Sequence, residues 1–169
     1  YKHIGVDLQA ITRALMTNLK NYGKGKRLVG ASTITQQVAK NFLLSSEVTF
    51  ERKIKEAILA IRIERAFSKK EILELYLNEI YLGNNSYGIA AAALNYFDKS
   101  LDDLTIDEAA FLATLPKAPS KYNPKTNYER VLDRRNWVLY QMFKNGYLTD
   151  NEKKSFQSKK IVLTKSSGL

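Results

Sequence analysis

Three groups of polar residues have the types and spacing to do chemistry. The run Gly30-Ala31-Ser32-Thr33-Ile34-Thr35-Gln36-Gln37 concentrates hydroxyls and amides where the pattern marks a helix start, and Lys40 follows Gln37 by three. Free N–H groups and the positive end of the helix dipole suit such a start to an anion. An ordinary capped helix with polar decoration would use the same residues, and composition leaves both readings open. Arg52, Lys53 and Glu56 stand at i, i+1 and i+4, so on a helix two cations flank one carboxylate. On an exposed face that is an ion pair of small worth. Beside a phosphate site it is a carboxylate held ionised by cations that neutralise a departing diphosphate. The pair Arg134-Arg135 and the loop Lys117-Ala118-Pro119-Ser120 offer further phosphate ligands, or simply solvated faces.

Composition narrows the classes of chemistry. With 27 Lys+Arg against 17 Asp+Glu the 169-residue chain carries a net charge of +10, which suits either nucleic acid or anionic lipid and phosphate. The absence of Cys excludes disulfides, thiolate metal sites and a thiol nucleophile, and a lone histidine, His3, cannot build a His-rich metal site. An apolar content of 44% is enough to bury one core, while 8 Gly and 3 Pro are too few for the frequent turns of an all-β sandwich. No stretch approaches the roughly 18 consecutive apolar residues that span a bilayer. The chain opens on Tyr1-Lys2-His3 without Met, so a targeting or anchoring segment is expected upstream.

Helices must position these groups, because apolar residues recur at three and four and nowhere alternate convincingly. Ile4, Leu8, Ile11, Leu15 and Leu19 form the stripe of a first helix that Gly23 can stop, and the glycine-rich basic stretch Asn21 to Val29 reads as a mobile loop. Thr33 with Gln36 is a capping box for a short helix burying Ile34, Val38 and Phe42. Thr49 caps the next helix, with Phe50, Ile54, Ile58 and Ile61 as its apolar stripe and Arg52, Lys53 and Glu56 off it. Ser68/Glu71, Thr105/Glu108 and Thr149/Glu152 repeat the capping signature. Gly88 to Phe97 is an Ala-rich helix, Ala109 to Leu115 one that Pro116 stops, and Tyr128 to Lys144 one that ends before Gly146. The expectation is a mainly α, single-domain fold over 1–158, with 159–169 an exit linker in which Ile161 to Leu163 is extended.

Taken together, four ordered motifs resemble those of the peptidoglycan glycosyltransferases, the transglycosylase domains of class A penicillin-binding proteins and their monofunctional relatives. The segments are GASTITQQVAKN (Gly30 to Asn41), RKIKEAILAIRIE (Arg52 to Glu64), KKEILELYLNEIYLG (Lys69 to Gly83) and RRNWVL (Arg134 to Leu139). The family's first motif, Glu-Asp-x-x-Phe-x-x-His-x-Gly, is matched only at its end, by His3-Ile4-Gly5. The resemblance implies a lysozyme-like helical fold that polymerises lipid II, with a lipid-linked glycan strand as donor and undecaprenyl diphosphate as leaving group. It implies inversion at the anomeric carbon and a β-1,4 link. The principal catalytic Glu would lie upstream of Tyr1, so the chain by itself is expected to be inactive.

Carried over residue by residue, Glu56 is the second acidic residue, acting near the diphosphate with Arg52 and Lys53 or with a divalent cation such as Mg. Ser32, Thr33, Gln37, Lys40 and Asn41 match positions lining the donor site, as do Lys117 and Ser120. Arg134 matches the fifth-motif arginine, structural or phosphate-linked, and His3 takes a structural, loop-anchoring role. Ala14-Leu15-Met16 and Leu19 beside Lys20, Lys24, Lys26 and Arg27 have the mixture of an interfacial membrane segment. The implied location is the outer face of the bacterial cytoplasmic membrane, with a transpeptidase domain in the same parent chain and no nucleic-acid partner. Two other classes stay in view. A lysozyme-like glycan-cleaving enzyme uses Glu chemistry on the same bond but has no use for a diphosphate site. A basic helical nucleic-acid-binding module would show salt-steep affinity and leaves Glu56 without a purpose.

Overall fold

The computed structural model describes residues 3–25, 29–43 and 49–164. It is mainly helical, as expected: eight α-helices among the described residues, and a single isolated β-bridge between Tyr81 and Tyr87. The described residues fall into two compact units divided between Glu79 and Ile80.

The first unit holds α1 (Leu8–Lys20), α2 (Ile34–Phe42), α3 (Phe50–Ala66) and α4 (Lys69–Glu79). Its helix starts follow the capping signals. Thr33 Oγ1 accepts from Gln36 N while Gln36 Oε1 accepts from Thr33 N, which satisfies two donors that a helix start leaves open. Thr49 caps α3, and Ser68 with Glu71 caps α4 reciprocally. Helix α1 starts later than its apolar period suggests. Asp7 is its N-cap, accepting from Ala10 N, so Ile4 lies ahead of the helix.

α2 packs on both α3 and α4. The buried set is small-sided: Val38 and Ala39 from α2, Ala60 and Ile63 from α3, Ile72 and Tyr76 from α4. This reverses the expected face of α3. Phe50, Ile54 and Ile58, expected inside, are exposed, Phe50 at 82%, while Glu56, Ala60 and Ile63 turn inward. Ile58 follows Glu56 by two residues, about 200° around the helix, so one of the two has to face out. Ala39 on α2 and Ala60 on α3 are both fully buried, and helices packed through small side chains can approach closely. Phe42, also expected inside, is exposed, and α1 buries only Ala14 while Leu8, Ile11, Leu15, Met16 and Leu19 face outward.

The second unit holds α5 (Ile89–Phe97), α6 (Ile106–Leu112), α7 (Tyr128–Lys144) and α8 (Asp150–Ser158), with 3-10 turns at Leu115–Lys117 and Pro119–Tyr122. Its main core joins Leu82, Ala92, Ala93, Tyr96, Phe97, Phe111, Leu115, Tyr122 and Val131. Tyr96, Phe97 and Phe111 meet edge to face or tilted at 5.3 to 6.5 Å. Helix α6 ends earlier than Pro116 requires. Thr114 Oγ1 donates to Phe111 O at 2.7 Å, and the chain tightens into the 3-10 turn that contains Pro116. Residues 159–164 carry no helix or strand and lie against this unit: Ile161 and Leu163 pack on the core, Ile161 N donates to Tyr128 Oη and Thr164 N to Tyr96 O.

Candidate active site

Helix α3 carries the centre of the site. Glu56 is 1% exposed, one turn into the helix from Arg52 and Lys53. Arg52 Nη1 donates to Glu56 Oε2 at 3.2 Å, and Lys53 Nζ donates to Glu56 Oε1, so both carboxylate oxygens are engaged by cations. The cations differ in access. The Arg52 side chain is 13% exposed and that of Lys53 45%, so Lys53 keeps a face toward solvent or a ligand. Its ammonium also donates to Ser32 Oγ at 2.9 Å. One lysine therefore links the buried carboxylate to the residue that precedes α2, which answers the ambiguity of the bare spacing. This is a built cluster with a buried charge and not a loose surface pair.

The start of α2 is fixed from beneath. Thr33 Oγ1, besides capping, donates to Gly5 O at 2.6 Å. Gly5 has φ +94°, and a Cβ there would stand 2.7 Å from Ala60 O, so only glycine brings the chain this close to α3. Thr35, buried, donates to Glu64 Oε1, which also accepts from Lys69 Nζ at 2.6 Å. Lys69 Nζ reaches His3 O at 2.9 Å and faces His3 Nδ1, which also accepts from Gly5 N. Burial pushes the Glu64 carboxyl up, but the hydrogen bonds from Lys69 and Thr35 with the charges of Lys69 and His3 outweigh it and hold it below its ordinary value. A cavity of about 360 Å³ opens beside this network, lined by His3, Asp7, Ser32, Thr33, Thr35 and Lys69 among others.

The structure thus brings Ser32, Arg52, Lys53 and Glu56 together. Thr33, expected among the ligands, donates its hydroxyl to Gly5 O and accepts from Gln36 N. Gln37 is half-buried, and Lys40 and Asn41 are exposed on α2. In the second unit, Lys117 and Ser120 are exposed on the two 3-10 turns, and the Arg134 guanidinium stacks on Trp137 at 3.9 Å. His3 has the contacts of a loop anchor. Lys26 and Arg27, expected at the membrane interface, lie outside the described residues. Sequence reasoning missed Gly5, Thr35, Glu64 and Lys69 as a network. Their advance signal was that each falls within a different motif: Gly5 in the first, Thr35 in Gly30 to Asn41, Glu64 closing Arg52 to Glu64 and Lys69 opening Lys69 to Gly83.

Among the described residues the site holds no preformed cage for a divalent cation. Glu56 has both oxygens on cations, and among the described residues no three acidic or histidine side chains converge. What the cluster can do is present an ammonium and a hydroxyl, backed by a second cation, to a group that gains negative charge.

Comparison with known proteins identifies the family. The transglycosylase family profile matches residues 1–143. Penicillin-binding protein 1A of Rickettsia felis is 56% identical over 165 residues, covering 98% of this chain and 21% of that protein. The protein of the same name in Aquifex aeolicus is 52% identical over 167 residues, 99% of this chain and 23% of its own length. Among solved structures, penicillin-binding protein 1A from Haemophilus influenzae matches with a TM-score of 0.55 and 39% identity over 80% of this chain and 18% of that one. The chain spans about a fifth of the length of these relatives.

Proposed function

The chain belongs to the transglycosylase family, and from that premise we propose that it serves to polymerise lipid II into peptidoglycan glycan strands. The reaction is glycosyl transfer with inversion: the 4-hydroxyl of the acceptor sugar attacks the anomeric carbon of the lipid-linked strand, a β-1,4 bond forms, and undecaprenyl diphosphate leaves. The observation that carries this reading is the buried Glu56 carboxylate with both oxygens on cations, one of which extends to Ser32. A departing diphosphate needs its growing charge met, and Lys53 with Ser32 meets it with an ammonium and a hydroxyl. Glu56 holds the two cations in place, and the cluster keeps a net positive charge for the ligand. The proton of the acceptor hydroxyl would go to the principal glutamate of the family's first motif, of which this chain matches His3-Ile4-Gly5.

A glycan hydrolase reading has no task for this cluster, because water-driven cleavage releases no diphosphate. The outward apolar stripe of α1, with Arg13, Lys20 and Lys24 alongside, supports work at a membrane surface. No helix among the described residues is long and apolar enough to cross one. As part of a longer protein, the chain would act at the outer face of the cytoplasmic membrane, with a transpeptidase domain in the same parent.

The test is polymerisation of fluorescent lipid II by the whole parent protein and by its Glu56→Gln variant. Long strands from the parent and almost none from the folded variant are expected. A folded parent that leaves lipid II untouched, or that shortens glycan instead, overturns the proposal.

A further inference from the structure

The second unit contains a buried cation that no carboxylate among the described residues contacts as an ion pair. Arg135 on α7 is 0% exposed. Its Nε and Nη2 donate to Asn136 Oδ1 at 3.1 and 2.9 Å, and Nη2 also donates to Gln157 O at 3.1 Å. Its Nη1 is buried and meets no hydrogen-bond partner. No carboxylate among the described residues forms an ion pair with it. Burial lowers its pKa, a trend that the nearby Asp107 and Tyr128 oppose. An isolated charge in such a place is strongly disfavoured, and a donor with nothing to donate to adds to the penalty.

A cavity of about 180 Å³ adjoins it, lined by Arg135, Asp107 and Glu108, by the aromatic rings of Phe97 and Phe111, and by the segment from Lys159 to Val162. Both acidic residues of that lining are already neutralised. Asp107 Oδ1 pairs with Lys159 at 3.3 Å. Glu108 accepts two bonds from Lys99, at 2.8 and 2.9 Å, and one from Thr105 N. Lys160, also in the lining and exposed, pairs with no carboxylate among the described residues. The surplus is therefore two cations, one buried on the helix and one on the segment laid across it. A small anion between them would give Nη1 an acceptor and the guanidinium a counter-charge.

We propose that this cavity binds a small oxyanion, a phosphate or a carboxylate, that bridges Arg135 and Lys160 and so ties the 159–164 segment to α7. The site is built from residues of the second unit alone and does not depend on the glycosyl-transfer reading. The geometry favours an oxyanion over chloride, because a carboxylate or phosphate offers separate oxygens to two donors.

The test is a titration of the full chain with sodium phosphate, sodium acetate and sodium chloride at matched ionic strength, followed by backbone amide NMR. Saturable shifts at Thr105, Phe111 and Lys159 to Val162 with phosphate, acetate or both, and none with chloride, are expected. Saturation by phosphate alone assigns a tetrahedral ligand, and saturation by acetate alone a carboxylate. Signals of Ser32 and Lys53 are followed separately, so that binding at the Glu56 cluster is not counted. Lys160→Ala, at an exposed position, is expected to raise the half-saturating concentration about tenfold, the effect of one lost charge-assisted contact. Arg135→Gln is expected to abolish saturation. If that variant does not fold, Lys160→Ala alone decides. Shifts that are equal in all three salts, or saturation that Lys160→Ala leaves unchanged, overturn the proposal.

Discussion

The two cations on Glu56 should separate stability from turnover when they are perturbed one at a time. Glu56→Gln removes the charge and keeps the shape, leaving Arg52 and Lys53 to share one amide oxygen. Breaking a buried ion pair by deleting one partner costs about 3–5 kcal/mol. The Lys53 side chain is 45% exposed, so solvent screens its share, whereas Arg52 at 13% stays largely out of water. The amide oxygen retains one bond, so the expected loss is about 2–3 kcal/mol, at or below the low end of that range. Lys53→Met leaves the Arg52 bond intact but takes the cation from one oxygen of the buried carboxylate, for a loss of about 1–2 kcal/mol that the half-exposed lysine site lets water offset in part. The order reverses for chemistry at Lys53: removing a donor aimed at developing charge lowers turnover about a hundredfold. Amide exchange at Ala60 and Ile63 reads the stability, and lipid II polymerisation by the parent protein reads the rate. Unchanged exchange in Glu56→Gln would refute the buried ion pair. A Lys53→Met protein with full activity would refute the assignment of its ammonium to the leaving group.

Other outcomes follow from the same geometry. Gly5→Ala is expected to destabilise the first unit by at least about 2 kcal/mol, from a left-handed φ and a Cβ set 2.7 Å from Ala60 O, and amide exchange in α2 and α3 measures it. Glu64 has a lowered pKa in the folded chain, so its share of stability is present above the ordinary carboxylate value of 4.5 and is lost as pH falls through the folded value. Urea unfolding from neutral pH into the acid range should show that dependence, and Glu64→Gln should flatten it. On α1, Leu15→Asp with Leu19→Asp should leave folding within about 0.5 kcal/mol, as both side chains are exposed, while sedimentation with anionic vesicles drops sharply. Equal sedimentation of the two proteins would remove α1 from the membrane contact.

Local signals were the legible part of the fold. A Thr or Ser followed three residues later by Gln or Glu names its own hydrogen bonds, and Thr33/Gln36, Ser68/Glu71 and Thr149/Glu152 each make them reciprocally. The span Tyr128 to Lys144 is helical as read, because Gly146 supplies the positive φ that ends it. The site was half legible. Arg52, Lys53 and Glu56 are near in sequence and meet as their spacing allows, whereas Ser32 to Lys53 and Thr35 to Glu64 are contacts between helices that no period announces.

The misreading of α3 has a cause that bears on the site itself. Periodicity reports that a helix has two unlike faces and leaves open which one is buried. An apolar stripe is ordinarily the inward face, because burying Phe and Ile is favourable, by about 1.5–3 kcal/mol for a fully buried side chain. Against that stands a carboxylate whose oxygens both have cationic partners on its own helix, so that most of what it would lose on leaving water is returned locally. With Ala39 and Ala60 fully buried, the inward face has room for close backbones and for this self-contained triad, not for a row of large side chains. The exposed Phe50, Ile54 and Ile58 are then the counterpart of placing Glu56 inside. A local violation of the usual burial order marked the functional helix, and it was visible in advance as an Arg-Lys-x-x-Glu spacing set against an isoleucine stripe.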